Sequence, residues 1–520
     1  MKMSRFSINI MTLASVLCVV LGCISAVMAQ TRIDFPRAPA VEAQSGIPLK
    51  LTLSQLVELV RERNEQILSQ EAEWLIKKET VKAERSIFEP KLKGIFQHED
   101  IHQQNTAEET RQWYLSEPYE AQNNYYQPSI EGLTPTGAKL KLGYTLSDMS
   151  NPVNDFHNEY RTTLLAELTQ PLLKDGGIQA TMAKIRMAEA DSDVSFQQYR
   201  ERMMRVISKT VEAYWKLCLA QEVLHLRKDS VRYTEQLLQV HRERFRTGKV
   251  PEIEVFEAEA GVAERKARES AAEQQLTSAI NDVRILFSSS AAADDTRIEA
   301  IDKLEMEWVE PDFQDTLYKA FRLQPVYIST RIKVDREDIE LAFTKNQRWP
   351  KLDLTASYGV NGLAYSSGSS WDIATDSDFK QWKIKLEWEI PLGGDMKTRS
   401  VLEAVRQKKR QALLDLKRIE VELANSVDTA VRDVYNAAEQ VGYYVRSVDS
   451  RKRLLDGELA RLEAGKSDSR RVLEREVELR LAQEAVLESL AKHKMAIVNL
   501  EWASGSLLSR YGIETMEEDL

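Results

Sequence analysis

Two long stretches of the chain carry an apolar residue at every seventh position. The positions are Leu217, Leu224, Val231, Leu238 and Phe245 in the first stretch, and Val434, Val441, Val448, Leu455 and Leu462 in the second. A seven-residue apolar repeat is typical of helices that pack side by side in a left-handed supercoil. We therefore predict two long helices, from about Ile178 to Arg246 and from about Lys397 to Ala464. At 1.5 Å per residue, each would be roughly 100 Å long.

The two stretches belong to an internal repeat. A shift of 217 positions places Leu217 on Val434, and it also places Gly248-Lys249 on Gly465-Lys466. Each half of the chain then has the same order, which is a short helix, a β segment, a long helix, a turn and a shorter returning helix. This twofold sequence repeat predicts that each half builds a long helical hairpin.

Glycine and proline mark the turns of the two hairpins. Glycine is a usual residue just after the C-terminus of a helix, and Gly248 and Gly465 follow the two heptad stretches. Pro251 can open the returning helix of the first half, because a proline in the first turn of a helix loses no hydrogen bond. We expect the hairpin tips at Thr247 to Pro251 and at Ala464 to Asp468.

Between the helices lie segments in which apolar and polar residues alternate, which is the pattern of a strand with one apolar face. The segments are Lys139 to Ser147, Lys351 to Val360 and Trp382 to Ile390, with a further strand expected near Thr163 to Gln170. Strands that cross a bilayer need roughly 9–11 residues, which is about this length. One chain offers too few strands to close a barrel, and open edges are not stable in lipid. The pattern therefore predicts an oligomer or another cover for the edges.

The rest of the β regions reads as loops. Asp100 to Tyr160 is rich in Asn, Gln and Tyr, as an external loop would be, although it also holds the strand that begins at Lys139. Gly362 to Asp378 contains Gly, Ser and Asp residues between two strand candidates, which is typical of a hairpin tip.

Charge and the first residues narrow the class of protein. The chain of 520 residues has a net charge of −10 and a pI near 5.5, which argues against a nucleic-acid-binding protein. Lys2 and Arg5 before the apolar run from Phe6 to Leu21 are typical of an export signal. Cleavage after Ala29 would remove a signal peptide of residues 1–29. The alternative is a lipobox that ends at Cys23, which would then be lipidated.

No sequence pattern indicates catalysis. Phosphate-binding glycine loops and the G-x-S-x-G nucleophile motif are absent, so we expect neither an enzyme nor a cofactor. His98 and His102 lack the Cys residues or clustered carboxylates that would complete a metal site, so no metal is expected. The isolated His241 and His493 are expected on solvated helix faces, and Cys218 is expected to pack among apolar residues.

The order of these segments resembles the TolC-type outer-membrane factor family over about Leu51 to Gly505. The likeness is carried by short motifs that recur in both halves. Similar to the family's helix-to-strand junctions are Phe88-Glu89-Pro90-Lys91-Leu92 and Trp349-Pro350-Lys351-Leu352. Similar to its strand-to-helix junction is Glu389-Ile390-Pro391-Leu392-Gly393-Gly394. Similar to its hairpin tips are Arg244-Phe245-Arg246-Thr247-Gly248 and Arg461-Leu462-Glu463-Ala464-Gly465.

The resemblance implies an α+β membrane protein of the cell outer membrane that forms a homotrimer. Each protomer would give four strands to a twelve-stranded transmembrane β-barrel and its coiled-coil hairpins to a periplasmic α-barrel. The trimer would be the passive exit duct of a tripartite efflux pump or of a type I secretion system. An inner-membrane pump would supply the energy. A periplasmic adaptor protein would dock at the tips, on Thr247, Gly248, Lys249, Ala464, Gly465 and Lys466.

The resemblance also implies where the duct would be gated. In the family, acidic residues and a charged network constrict the periplasmic entrance near the tip of the second-half hairpin. The similar segment here is Ser467 to Glu476, which makes Arg470, Arg471, Glu474 and Glu476 the entrance candidates. Arg471 stands where a second acidic residue is expected, so a simple acidic ring is not predicted. The alternative is an ordinary exposed helix surface with ion pairs between residues four apart.

These observations divide the chain into six parts. They are a signal peptide at 1–29, a linker at 30–50, a first repeat at 51–288, a linker at 289–310, a second repeat at 311–505 and a C-terminal tail at 506–520. The expected partners are two further copies of the chain, the adaptor, the pump and outer-membrane lipid, with no nucleic acid. The alternative function is a periplasmic coiled-coil scaffold or adaptor with a small soluble sheet, which the duplicated strand segments disfavour.

Overall fold

The computed structural model describes residues 49–112, 118–150, 158–287, 298–391, 395–464 and 466–513. The predicted signal peptide at 1–29, the lipidation candidate Cys23 and the tip residue Gly465 lie outside the described residues. Within these ranges, no helix combines the length and the apolar character needed to span a membrane.

Helices make up most of the described chain. In order they are α1 (Leu53–Arg63), α2 (Glu65–Arg85), α3 (Ala107–Gln112), α4 (Ile178–Thr181), α5 (Ala183–Arg246), α6 (Glu252–Leu286), α7 (Phe313–Leu323), α8 (Pro325–Asn346), α9 (Ser367–Thr375), α10 (Met396–Glu463), α11 (Ser469–Ser504) and α12 (Leu507–Arg510). The strands are β1 (Leu49–Leu51), β2 (Lys91–Gln103), β3 (Tyr119–Leu133), β4 (Lys139–Ser150), β5 (Glu159–Pro171), β6 (Ile298–Ala300), β7 (Lys351–Ala364) and β8 (Lys380–Glu389).

The two longest helices are those that the heptad pattern predicts. α5 has 64 residues and α10 has 68. Leu217 and Val434, which occupy equivalent heptad positions, are fully buried. α6 packs back along α5, and α11 packs back along α10, so each half contains a helical hairpin. Pro251 is the N-cap residue of α6, in extended backbone, and therefore precedes the first turn in which it was expected.

A hydrophobic core joins the short helices to α5. Its fully buried side chains come from five helices and include Leu56, Val60, Ile67, Met204, Ile207, Tyr214, Val283 and Leu507. Beside this core, β1 and β6 form a parallel pair. The Tyr214 hydroxyl donates to Asp302 Oδ2 at 2.7 Å, and Asp302 Oδ2 also accepts the Leu53 N–H at 2.8 Å. One carboxylate, two residues after the end of β6, therefore ties α5 and the start of α1 together.

The other described strands form one antiparallel sheet in the order β2–β3–β4–β5–β7–β8. The predicted strands near Lys139, Thr163, Lys351 and Trp382 are all present, as β4, β5, β7 and β8. The expectation of four strands per protomer is wrong, because the described residues contribute six strands to this sheet. β2 begins at the helix-to-strand junction that the resemblance implies at Pro90-Lys91, and β3 lies inside the segment that was expected to be an external loop.

The absence of an apolar stripe explains why β3 was not predicted. Its outer half, Tyr119 to Tyr126, contains polar side chains on both faces, with Glu120, Gln122 and Asn124 on one face and Asn123 on the other. The segment is nevertheless extended, because its backbone pairs with β2 over the whole of Lys91–Gln103 and with β4 on the other side. Pairing with two neighbours has outweighed the weak intrinsic strand pattern.

The two faces of the sheet differ in chemistry. One row of paired residues across the six strands contains Leu92, Ile130, Leu142, Ala166, Tyr358 and Trp382. The neighbouring row on one side contains Lys93, Ser129, Gly143, Leu165, Gly359 and Gln381, and the neighbouring row on the other side contains Lys91, Glu131, Lys141, Glu167, Ser357 and Lys383. Most apolar side chains of the sheet therefore lie on one face, and most charged side chains lie on the other.

The apolar face is largely uncovered. Trp382, Ile384, Leu386 and Trp388 of β8 are 59–74% exposed, and Leu92 of β2 is 79% exposed. Among the described elements, α9 packs on this sheet across β5 and β7, where Ser370 Oγ lies 2.8 Å from Thr162 Oγ1. α9 also occupies the segment that was expected to be a simple hairpin tip. A continuous exposed apolar face of this kind marks a surface that contacts lipid or another protein.

Candidate functional site

The first hairpin tip is a compact turn between α5 and α6. The Thr247 N–H donates to Glu243 O, and the Lys249 N–H donates to Arg244 O at 2.9 Å. Gly248 has a φ of +71°, a left-handed conformation that glycine adopts without strain. These bonds satisfy carbonyls at the end of α5 that would otherwise lack partners.

The second tip closes in the same way. The Ala464 N–H donates to Ala460 O at 3.1 Å, and the Lys466 N–H donates to Arg461 O at 2.8 Å. Lys466 and Arg461 are the counterparts of Lys249 and Arg244 under the sequence shift. The Ser467 hydroxyl donates to the buried carboxylate of Glu458, and this bond fixes the turn to α10.

Apolar side chains are exposed around the first tip. Phe245, Ile253 and Phe256 are 43%, 59% and 53% exposed, and Val240 one turn earlier is 45% exposed. Exposed aromatic and β-branched side chains beside a glycine turn have the composition of a protein-binding surface rather than of a solvated loop.

Three of the four entrance candidates lie on the surface of α11. Arg470 Nε lies 3.1 Å from Glu474 Oε1, and both side chains are more than half exposed. The Arg471 N–H donates to Asp468 Oδ1 at 2.9 Å, which makes Asp468 the N-cap of α11. In the isolated protomer, Arg470 and Glu474 thus form the exposed ion pair between residues four apart that the alternative interpretation expects, and Arg471 additionally takes part in a helix cap.

The fourth candidate, Glu476, is placed differently, because only 2% of its side chain is exposed. Its Oε2 accepts from Arg265 Nη2 at 3.1 Å, and its Oε1 accepts from Ser230 Oγ at 3.0 Å and from Arg480 Nε at 3.0 Å. Ser230 is on α5 and Arg265 is on α6. One carboxylate of the second hairpin is therefore bonded to both helices of the first hairpin.

A second ion pair reinforces this contact between the hairpins. Arg227 Nη2 on α5 donates to Glu484 Oε2 on α11 at 2.6 Å, and both side chains are mostly buried. Burial raises the pKa of the Glu484 carboxyl, and the neighbouring Arg227 opposes this rise. We call Glu476, Glu484 and their partners Arg265, Ser230, Arg480 and Arg227 the hairpin clamp.

Sequence reasoning missed the partners of Glu476. Val255, Ala258 and Val262 are buried at heptad spacing on α6, and Arg265 occupies the next position of that series. A charged residue at a core heptad position was a signal that this helix packs against a buried carboxylate. Gly261 gives Arg265 room, since a Cβ there would lie 3.3 Å from Arg265 Nη1 and 3.9 Å from Leu473 Cδ1.

Two histidines were also misplaced by sequence reasoning. His241 and His493 are each 1% exposed rather than solvated. Neither ring nitrogen of His241 is hydrogen-bonded within the described residues, and Glu254 Oε2 lies 3.5 Å from its Nδ1. Burial lowers the pKa of His241, the Glu254 carboxylate opposes this shift, and Arg244 adds to it. Cys218 is buried as expected.

Long helical hairpins and a sheet with an exposed apolar face define an α+β fold. Residues 137–287 and 329–506 match the family described as outer membrane efflux protein. These residues are more than half of the chain, so the protein belongs to the outer membrane efflux protein family. It is accordingly an efflux protein of the outer membrane, with its helical part in the periplasm.

Individual relatives support this assignment. The chain is 22% identical to the outer membrane protein TolC of Escherichia coli (strain K12) over 388 residues, which are 72% of this chain and 76% of TolC. It is also 22% identical over 386 residues to the outer membrane protein TolC of Salmonella enteritidis. The likeness therefore extends over most of both chains.

Solved structures share the fold. The Campylobacter jejuni CmeC outer membrane channel matches with a TM-score of 0.62 at 16% identity, over 88% of this chain and 86% of that chain. The Neisseria gonorrhoeae MtrE outer membrane channel matches with a TM-score of 0.60 at 14% identity, over 88% of this chain and 89% of that chain. At these identities the likeness concerns the fold alone.

Proposed function

We propose that three copies of this protein form a passive exit duct that takes its cargo from a periplasmic adaptor and an inner-membrane pump. The duct belongs either to a tripartite efflux pump or to a type I secretion system. The observation that carries the proposal is the sheet with one exposed apolar face, joined at one end to long helical hairpins. A single copy leaves this face and both sheet edges uncovered, and such edges are not stable in lipid.

The charged face of the sheet supports a water-filled interior. In transmembrane barrels, apolar side chains face lipid and polar side chains face the lumen. Glu131 pairs with Lys93 across β2 and β3, and Lys351 pairs with Asp353, so much of the charge on this face is balanced. A balanced polar wall suits a duct that does not recognise its cargo tightly.

The tips and the clamp have separate proposed roles. The adaptor docks on the turns at Thr247 to Lys249 and at Ala464 to Lys466, where apolar side chains such as Phe256 are exposed. Arg470, Arg471 and Glu474 line the periplasmic entrance, and Glu476 holds α11 against the first hairpin so that the entrance stays narrow. A docked partner that pulls the hairpins apart would widen the entrance.

The test is single-channel recording of the purified, detergent-solubilised protein in planar bilayers. Discrete conductance steps from a species shown to be trimeric by native mass spectrometry support the duct. Folded trimers that give no conductance, even after the clamp is broken by Glu476→Gln, would contradict it. A protein that stays soluble and monomeric without detergent would instead favour a periplasmic scaffold.

A further inference from the structure

The sheet ends in two open edges. Among the described strands, β2 lies at one edge and β8 at the other, and each has a strand neighbour on its inner side only. Successive strands are antiparallel, and the sheet has an even number of them, so β2 and β8 run in opposite directions. The β8 edge of one copy can therefore pair with the β2 edge of the next in an antiparallel ladder without a change of direction.

We propose that β8 of each copy pairs with β2 of the next, so that three copies of the six described strands close a barrel of 18 strands rather than 12. The inference rests on the proposed trimeric duct. The β3–β4 hairpin, which lies between β2 and β5, supplies the additional strands. The occupant of each open edge is a second copy of this chain.

The first argument is that the β3–β4 hairpin has the same two faces as its neighbours. Ile130 and Leu142 lie in the apolar row and are 50% and 48% exposed. Glu131 and Lys141 lie in the charged row beside it, and Glu131 forms an ion pair with Lys93 of β2. A hairpin that folded outside the barrel wall would have no reason to continue both patterns.

The second argument is that the turn of this hairpin is fixed to the junction with the long helix. The Gly177 N–H, at the start of α4, donates to Thr136 O at 3.1 Å, and Gln170 Nε2 donates to the same carbonyl at 3.1 Å. Gly137 has a φ of +88°, and a Cβ there would lie 2.8 Å from Asp175 O. The turn thus lies level with the ends of strands that enter the long helices.

The third argument is the strand tilt. The row that starts at Lys91, the first residue of β2, reaches Lys383, which lies six residues before Glu389 at the end of β8. If the strand ends next to the long helices all lie at one level, a stagger of six residues over five steps from strand to strand corresponds to a strand tilt of about 40° from the barrel axis. Closed barrels typically have tilts of about 35–45°. The sheet therefore already has the stagger of a barrel wall.

Charge at the two edges also matches. Lys91 begins β2 and Glu389 ends β8, so both lie at the end of the sheet next to the helices. Both side chains are on the charged face, because their strand positions have the parity of that face. Pairing of the two edges brings residues of opposite charge to the same level, and opposite charges on neighbouring strands are favourable.

The size of the opening follows from the strand number. At this tilt, 18 strands give a backbone diameter of about 36 Å, against about 24 Å for 12 strands. Barrels of 16–18 strands are wide enough to enclose an aqueous channel. The outer-membrane opening would then be about half as wide again as that of a twelve-stranded barrel.

The decisive experiment is electron cryo-microscopy of the unmodified protein in lipid nanodiscs. We expect a trimer whose membrane wall contains 18 strands, with β3 and β4 between β2 and β5. A trimer with a twelve-stranded wall and the β3–β4 hairpin outside it would overturn this inference and leave the duct intact. A protein that is not trimeric in lipid would overturn both proposals.

Site-directed spin labels provide an independent readout. A nitroxide at Leu142→Cys is expected to be accessible to oxygen in the bilayer, and the matched label at Lys141→Cys to a water-soluble nickel chelate. Water accessibility at both positions would place the hairpin outside the membrane and contradict the inference. Cys218 is buried, which limits background labelling in the folded protein.

Discussion

Replacement of Glu476 by glutamine gives the sharpest test of the hairpin clamp. The substitution keeps the size of the side chain and one hydrogen-bonding oxygen, but it removes the charge that faces Arg265 and Arg480. The Arg265 side chain is only 7% exposed and would be left without its carboxylate partner, whereas Arg480, at 22%, can turn toward water. We therefore expect α11 to separate more easily from α5 and α6.

The magnitude follows from burial. Removal of one partner of a buried ion pair costs about 3–5 kcal/mol. Because Arg480 is partly exposed, we expect Glu476→Gln to cost about 3 kcal/mol, at the lower end of this range. This cost corresponds to a change of roughly 150-fold in the equilibrium between docked and separated hairpins. Glu474→Gln is the matched control, because Glu474 also pairs with an arginine four residues away but is 59% exposed. Exposed pairs contribute about 0–1 kcal/mol, so the control is expected to change the equilibrium less than about fivefold.

Hydrogen exchange followed by mass spectrometry measures this equilibrium locally. Amide protection in the α11 segment at 472–484 is expected to fall by about two orders of magnitude in Glu476→Gln and to stay nearly constant in Glu474→Gln. The double variant Arg265→Met/Glu476→Met is expected to regain most of the protection, because no unpaired charge remains buried. Unchanged protection in Glu476→Gln would refute the assignment of the clamp, and equal losses in both single variants would refute its dependence on burial.

Further predictions concern the same helices. Because burial lowers the pKa of His241, the unfolded tip binds a proton below pH 6.5 that the folded tip excludes. Exchange protection near the first tip should then fall as the pH drops below about 6.5, and His241→Phe should remove this dependence. Burial raises the pKa of Cys218 to about 12, so iodoacetamide should modify this thiol at pH 8 only after denaturation. Tyr214→Phe removes a hydrogen bond to Asp302 and should lower the free energy of unfolding by about 2 kcal/mol, measured by denaturant titration. Gly248→Ala should cost about 1–2 kcal/mol at the first tip, because its φ is +71°, whereas Gly457→Ala within α10 should be neutral or stabilising.

The sequence alone was sufficient for the helical hairpins, because their stability depends on a local and periodic pattern. Leu217 and Val434 repeat every seventh residue with their neighbours, and glycine marks both turns. The strands β4, β7 and β8 were equally readable, since apolar and charged residues alternate along them. In each of these elements, the residues that specify the structure lie next to one another in the chain.

The elements that sequence reasoning missed depend on distant partners. β3 is extended because β2 and β4 pair with it on both sides, and its polar residues near Asn124 carry no strand signal of their own. The clamp joins Ser230, Arg265 and Glu476, and Ser230 is separated from Glu476 by 246 positions in the chain. His241 is likewise buried with the help of a second helix, since Glu254 Oε2 of α6 lies 3.5 Å from its Nδ1.

The two open edges of the sheet have a genetic consequence. In the proposed ring every copy contributes one edge to each neighbour, so a single defective β2 or β8 interrupts closure of the whole assembly. If wild-type and edge-defective chains are produced in equal amounts and mix at random, only about one eighth of the threefold rings contain no defective copy. Edge mutations should therefore be dominant over the wild-type allele, whereas mutations that merely unfold the chain before assembly should be recessive.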